Sequence, residues 1–319
     1  MLPFRIGPVY RRYLWGGERL RDELGMDAGG TGPLAEAWTL SARDDGDCPA
    51  LDGPHAGMGL SEIVRDHPEI VSPRHAQTDA FPLLVKLIDA REPLSVQVHP
   101  DDALAARWGD LGKTEMWHVL EAEEGAELLV GFLRPTSREE AERAIADGTF
   151  AQLLDARPVR AGDTAFVPAG TVHCIGAGIL LAEVQQSSDL TWRVFDHGRV
   201  GPDGRPRELH VARALEAMRM GGGAPPPPGA RAPVPVPGGR VETLARCEQF
   251  GARVLRLDGT ARLDPIETFA SLLCVSGGAR LVARGAGAWD MPWGTSIFVP
   301  AGAGPIEIEG RGDVLIVTP

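Results

Sequence analysis

Residues 160–184 read RAGDTAFVPAGTVHCIGAGILLAEV, and residues 291–317 read MPWGTSIFVPAGAGPIEIEGRGDVLIV. Both stretches carry a Gly, a short polar step, Phe-Val-Pro-Ala-Gly, a brief turn and a further apolar run. A strand that arrives at a Pro-Gly corner and leaves as the next strand is the unit of a β-barrel or double sheet, and its recurrence in the second half predicts two such units. The copies differ where chemistry is concerned. Counted from Val-Pro-Ala-Gly, His173 of the first copy falls at Pro305 of the second, so only the first barrel can build a histidine site.

Working outward, short runs at strand spacing occupy Pro82–Ile88, Leu94–Val98, Thr114–Leu120, Glu127–Phe132, Thr164–Val167, Gly178–Val184 and Leu190–Phe195. Helical patterns are few: Leu60–Val71, Asp102–Trp108, Ser137–Asp147 with a turn through Leu154, and Glu208–Met220. The third has a capping-box start, Ser137 followed three residues on by Glu140. With Gly 40 and Pro 27 among 319 residues, a mainly β fold with short helical insertions is expected. The stretch 221–239, GGGAPPPPGARAPVPVPGG, predicts an extended connector with no place in a ladder, dividing the chain into 1–220 and 240–319. Runs at 250–257, 268–275, 279–283, 295–299 and 314–317 make the second part β again.

Composition excludes several roles. There is no apolar run long enough for a membrane span and no secretory leader, so a cytoplasmic protein is expected, and the absence of any CxxC pair among Cys48, Cys174, Cys247 and Cys274 suits a reducing compartment. A formal charge of -12 argues against nucleic acid as a partner, and an anionic small molecule would need a local basic patch. Of 32 basic residues only Lys86 and Lys113 are lysine, a hint that these positions want a compact ammonium.

Strand alternation then assembles a constellation. In LSVQVHPDD, Ser95, Gln97 and His99 share a face against Val96 and Val98, and in GKTEMWHVL, Lys113, Glu115 and Trp117 share one against Thr114, Met116 and His118. Each segment alone reads as a solvated polar face. Together with His173, held after a rigid turn, Gln97, His99 and Glu115 offer two imidazoles, a carboxylate and an amide oxygen, a shell suited to Zn(II) or non-haem Fe(II). In ILLAEVQQSSDLTWR, Glu183, Asp189 and Arg193 with Lys113 supply proton carriers and a guanidinium fit for a phosphate or a developing oxyanion, against the plainer reading of Arg193 as a salt-bridge partner of Asp189 or Asp196.

PLLVKLIDAREPLSVQVHPDD, GKTEMWHVL and AGDTAFVPAGTVHCIGAGILLAEVQQSSDLTWRVFDHGR, with LWGGERL and AEAWTLSA nearer the start, resemble type I mannose-6-phosphate isomerases (phosphomannose isomerases) of the short bacterial form. The resemblance implies a cupin architecture of double jelly-roll barrels and one Zn2+ per chain on Gln97, His99, Glu115 and His173. It also implies an essential Arg193, further active-site residues at Ser95, Lys113, Glu183 and Asp189, and interconversion of mannose 6-phosphate and fructose 6-phosphate through a cis-enediol. The sugar phosphate is then the partner; oligomeric state is not legible. Two other readings of the same barrel are an Fe(II)-dependent cupin dioxygenase, against which Gln97 would fill a position oxygen needs, and a non-catalytic sugar-phosphate-binding cupin. The sequence departs from the pattern in its Pro-rich connector, in His118 where relatives often carry an aromatic residue, and in Cys174 where they often carry Ala.

Overall fold

A computed structural model of the chain describes residues 1–72, 80–201, 204–263 and 266–319. It is mainly β, and its layers follow from the alternation of the strands. A six-stranded sheet runs Thr164–Val167, Glu115–Ala122, Ile179–Gln186, Leu83–Ala90, Glu36–Leu40, Val9–Arg11, and a five-stranded sheet runs Leu154–Pro158, Glu127–Phe132, His173–Ile175, Val96–Val98, Trp192–Phe195. Ile88, Val119 and Leu181 of the first pack against Leu128, Val130 and Ile175 of the second, closing the first barrel. The other face of the five-stranded sheet, with Val96, Val98 and Trp192, is covered by the helices Arg138–Ala146 and Val211–Ala217.

Leu83–Ala90 and Ile179–Gln186 are buried at every position. Their second face meets the second barrel: Leu87, Met116, Ala182 and Val184 join Leu244, Phe250, Val254 and Leu315 in one core. Phe166 and Phe250 pack edge to face across this seam, with ring centroids 6.5 Å apart. Burial on both faces explains why PLLVKLIDA reads as a continuous apolar run rather than a strict alternation.

The second sheet is longer in its strands, with Gly251–Arg262, Ala270–Ala283 and Ile306–Thr318 at its centre. The repeated corner is the same in both halves: Thr171 N–H donates to Pro168 O at 3.0 Å, and Ala303 N–H to Pro300 O at 3.1 Å. The glycine that ends each Val-Pro-Ala-Gly has a positive φ, 85° at Gly170 and 70° at Gly302, a conformation open to glycine at little cost.

Two expectations need correction. The stretch 221–239 is not a bare connector. Arg231–Val236 is an edge strand antiparallel to Gly239–Arg246, and Gly223 N–H donates to Phe132 O at 2.6 Å. An edge strand needs donors on one side only, and Pro233 and Pro235, two apart, remove them from the same side. The inner ladder therefore survives, and the outer edge is poor in donors for another strand. Nor does the first part of the chain keep to itself: Phe4–Ile6 pairs with Ser296–Phe298 and so extends the second sheet. Smaller differences lie at element ends, where the expected helix at 208–220 shortens to Val211–Ala217 and the turn through Leu154 opens into the strand Leu154–Pro158.

Candidate active site

Sheet register sets the site. Gln97 pairs with His173 on one side and Arg193 on the other, so three functional side chains lie abreast across three strands at about 4.8 Å per step. His99 follows two residues later on the same face, and Glu115 opens a strand of the facing sheet. The metal-binding atoms of His99, Glu115 and His173 lie within 4.8 Å of one another, all buried. His99 Nε2 is 3.2 Å from Glu115 Oε1 and His173 Nε2 is 3.6 Å from Glu115 Oε2.

The backbone fixes both imidazoles for ligation. His99 Nδ1 is 2.7 Å from Leu190 O and His173 Nδ1 is 2.8 Å from Thr171 O. A carbonyl only accepts, so each Nδ1 carries the proton and each Nε2 turns a lone pair to the centre. Burial, opposed by Glu115, pulls His173 down to about 3. Burial and then the Lys113 ammonium lower His99 too, so both rings are neutral near pH 7.

Burial alone would raise Glu115, but the Lys113 ammonium is the largest influence against it, and the carboxyl is held well below its usual range. Lys113 Nζ stands 2.9 Å from Glu115 Oε1 and 3.3 Å from His99 Nε2. Even so, neither Glu115 oxygen accepts a well-directed hydrogen bond. A buried carboxylate with unsatisfied oxygens facing two imidazole lone pairs is costly without a cation between them. The donor set thus fits a divalent first-row metal. Gln97 approaches with Nε2 at 3.5 Å from His99 Nε2 and 3.4 Å from His173 Nε2, while its Oε1 accepts from Ser95 Oγ at 3.1 Å. A half-turn of this amide would aim the oxygen inward and leave Ser95 Oγ to accept from the NH2.

Beside this cluster opens a cavity of about 330 Å³ that holds Ser95, Lys113, Glu183, Asp189 and Arg193 in its lining. Glu183 Oε2 accepts from Trp117 Nε1 at 2.8 Å, and its Oε1 is 3.2 Å from Lys86 Nζ. Burial first, then the nearby Glu115, raises the Glu183 carboxyl. Asp189 is exposed at the mouth. Arg193 does not form the ion pair of the plainer reading: Asp196 is held by Arg207 at 2.6 and 2.5 Å, and the buried Arg193 Nε has no hydrogen-bond partner among the described residues. Burial, then the neighbouring Arg207, lowers its pKa.

Thus Ser95, Gln97, His99, Lys113, Glu115 and His173 meet as alternation suggested, Glu183 and Arg193 share their cavity, and Asp189 stands at its edge. The motifs did not point to Glu36, Arg207, His210 or Arg213, which also line it. Lys86 lines it as well, and the scarcity of lysine was its signal.

The family profile "Phosphomannose isomerase type I, catalytic domain" matches residues 3–127, and "Mannose-6-phosphate isomerase, cupin domain" matches residues 240–319. The mannose-6-phosphate isomerase ManA of Bacillus subtilis is 32% identical, with 98% of each chain covered. A mannose-6-phosphate isomerase of Streptococcus mutans is 41% identical over 69% of this chain and 68% of its own. The crystal structure of a mannose 6-phosphate isomerase from Bacillus subtilis superposes with a TM-score of 0.94 at 30% identity, covering 100% of both chains. With 32% identity to one mannose-6-phosphate isomerase over nearly the whole of both chains, a shared fold and the two profile matches, the chain belongs to the type I phosphomannose isomerase family.

Proposed function

We propose that this protein interconverts mannose 6-phosphate and fructose 6-phosphate by proton transfer through a cis-enediol, with one Zn2+ on Gln97, His99, Glu115 and His173. The observation that carries the reading is the buried, hydrogen-bond-poor Glu115 carboxylate facing two imidazoles whose Nδ1 protons are tied to backbone carbonyls. With one carboxylate among its ligands the centre would keep a net positive charge, and a bound Zn2+ there would polarise a carbonyl or hydroxyl oxygen of the sugar.

The isomerisation takes a proton from C2 of the aldose and returns one to C1, while a hydroxyl proton passes from O2 to O1, so no redox partner is consumed. Within the cavity Lys113 and Glu183 are the interior groups we assign to taking and returning protons, and Asp189 at the mouth is the third candidate. The Arg193 guanidinium, one strand step from Gln97, offers donors to the negative charge that grows on the two oxygens. Ser95 orients the Gln97 amide. The apolar flank of Trp15, Ile88 and Leu94 keeps part of the wall dry.

A coupled assay of mannose 6-phosphate isomerisation with and without chelator, joined to elemental analysis of the purified protein, tests this directly. Zinc at one equivalent and chelator-sensitive turnover are expected; iron with oxygen consumption would replace the reading by the dioxygenase, and binding without turnover by the sensor. Arg193→Ala should cut turnover while leaving bound metal near one equivalent. Comparing Glu183→Gln with Asp189→Asn separates the interior proton carrier from the group at the rim.

A further inference from the structure

We infer that the phosphate of the substrate is held by Arg213, Arg207 and His210, and that this wall sets the preference for a phosphorylated over a free sugar; the inference rests on the isomerase reading above. Among the described residues the cationic groups in the cavity are not all neutralised. Lys86 has Glu183 at 3.2 Å and Glu36 at 3.8 Å, and Lys113 has Glu115 at 2.9 Å. Arg207 is paired with Asp196 through Nε and Nη2, which leaves Nη1 unused in that pair. Among the described residues neither Arg193 nor Arg213 lies within ion-pair distance of a carboxylate. In a chain of net charge -12 this is a local basic wall, the feature an anionic small molecule requires.

Position matches the length of the molecule. His210 N–H donates to Arg193 O at 2.7 Å, and Arg193 N–H donates to His210 Nδ1 at 3.3 Å. His210 therefore continues the row His173, Gln97, Arg193 by one more step and carries its ring proton on Nε2. Gln97 and His210 are thus separated by roughly two strand spacings, about 10 Å, the reach of an extended six-carbon chain ending in phosphate, and Arg207 and Arg213 line the same cavity. With the reacting carbons beside Gln97, the other end of the sugar arrives at Arg213 and His210.

Arg213 is also pre-set for an anion. Its guanidinium lies 3.9 Å above the Trp108 ring, and Trp108 meets Trp192 edge to face with centroids 6.3 Å apart. Stacking holds the plane of the guanidinium and leaves its N–H edge unspent, the geometry that suits a phosphate fork. Trp108, exposed and otherwise unexplained, thereby gains a role as the platform for this arginine.

The test compares metal-loaded wild type with Arg213→Gln, measuring kcat and KM for mannose 6-phosphate and for free mannose, and inhibition by inorganic phosphate. Arg213→Gln should raise KM for the phosphorylated sugar by about tenfold, raise the phosphate inhibition constant in parallel, and shrink the preference for mannose 6-phosphate over mannose by the same factor. Arg213→Lys should recover part of the loss, and Trp108→Ala should reproduce part of it. Arg213 is exposed, so its substitution leaves the core intact. A preference and a phosphate constant both within about twofold of wild type would overturn the inference while leaving the isomerase reading standing. Wild-type protein that fails to isomerise mannose 6-phosphate, yet loses phosphate binding on Arg213→Gln, would sink the isomerase reading and uphold this wall.

Discussion

Acid should weaken this protein through a histidine that takes no part in the site. His118 points away from the cavity into the seam between the barrels, where it is 3% exposed and its Nδ1 lies 3.2 Å from Thr164 Oγ1. Burial, then the positive field of Arg256 from the second barrel, pulls its pKa from the usual 6.5 to about 4. As pH falls, the unfolded chain takes up the proton first, near 6.5, and the folded chain only near 4. Stability is therefore complete above 6.5, declines between these values, and below 4 is reduced by the full gap, about 3 kcal/mol at roughly 1.4 kcal/mol per pH unit. Between pH 8 and pH 5 the loss should be about 2 kcal/mol. Urea unfolding of chelated wild type and His118→Phe at both pH values, followed by tryptophan fluorescence, isolates this effect, because the lowered imidazoles His99 and His173 act equally on both proteins. The variant should lack those 2 kcal/mol of acid dependence. Parallel pH curves for the two proteins would show that the imidazole is solvated and that the reasoning fails.

Three other outcomes are expected. Lys86→Met strands Glu36 and Glu183 without their ammonium and should cost about 3–5 kcal/mol in urea unfolding, with much of it regained in Lys86→Met/Glu183→Gln; a loss under about 1 kcal/mol would mean that water reaches the pair. Ser137→Ala removes the hydroxyl that accepts Glu140 N–H at 3.1 Å and should lower stability by about 1 kcal/mol, read from chemical unfolding, whereas Ser137→Asp should hold it. Cys174 is buried with its thiol pushed up to about 12, while Cys247 is half-buried. Iodoacetamide at pH 8 should therefore mark Cys247 first by mass spectrometry, and prompt labelling of Cys174 in the native protein would contradict its burial.

Much of the first barrel was legible because its signals are local. Glu127–Phe132 and Thr164–Val167 carry their strand pattern within themselves, and alternation in LSVQVHPDD and GKTEMWHVL put Gln97 with His99 on one face and Glu115 with Lys113 on another, although only the combination with His173 turned those faces inward. What the sequence could not express was pairing at a distance. Phe4–Ile6 is three residues long and lies between partners at 49–51 on one edge and 296–298 on the other. Arg231–Val236 was hidden by prolines, whose prohibition on ladders holds for central strands and lapses at an edge. The wall of Arg207, His210 and Arg213 has the same origin. These residues form no motif, and they face the cavity because His210 bonds to the edge of the strand that carries Arg193. Lys86 is the intermediate case, flagged by rarity although no spacing rule selects it.

The union of the first strand with Ser296–Phe298 also has a bearing on synthesis. A chain made at about 5–20 residues per second needs roughly 15–60 s to pass from one partner to the other. For that interval the amino-terminal segment bonds only to the 49–52 stretch on one of its edges, and the second barrel lacks its border until translation is nearly done. The first barrel can close beforehand, so assembly on the ribosome is staged, and the stretch made earliest is among the last to have both its edges paired.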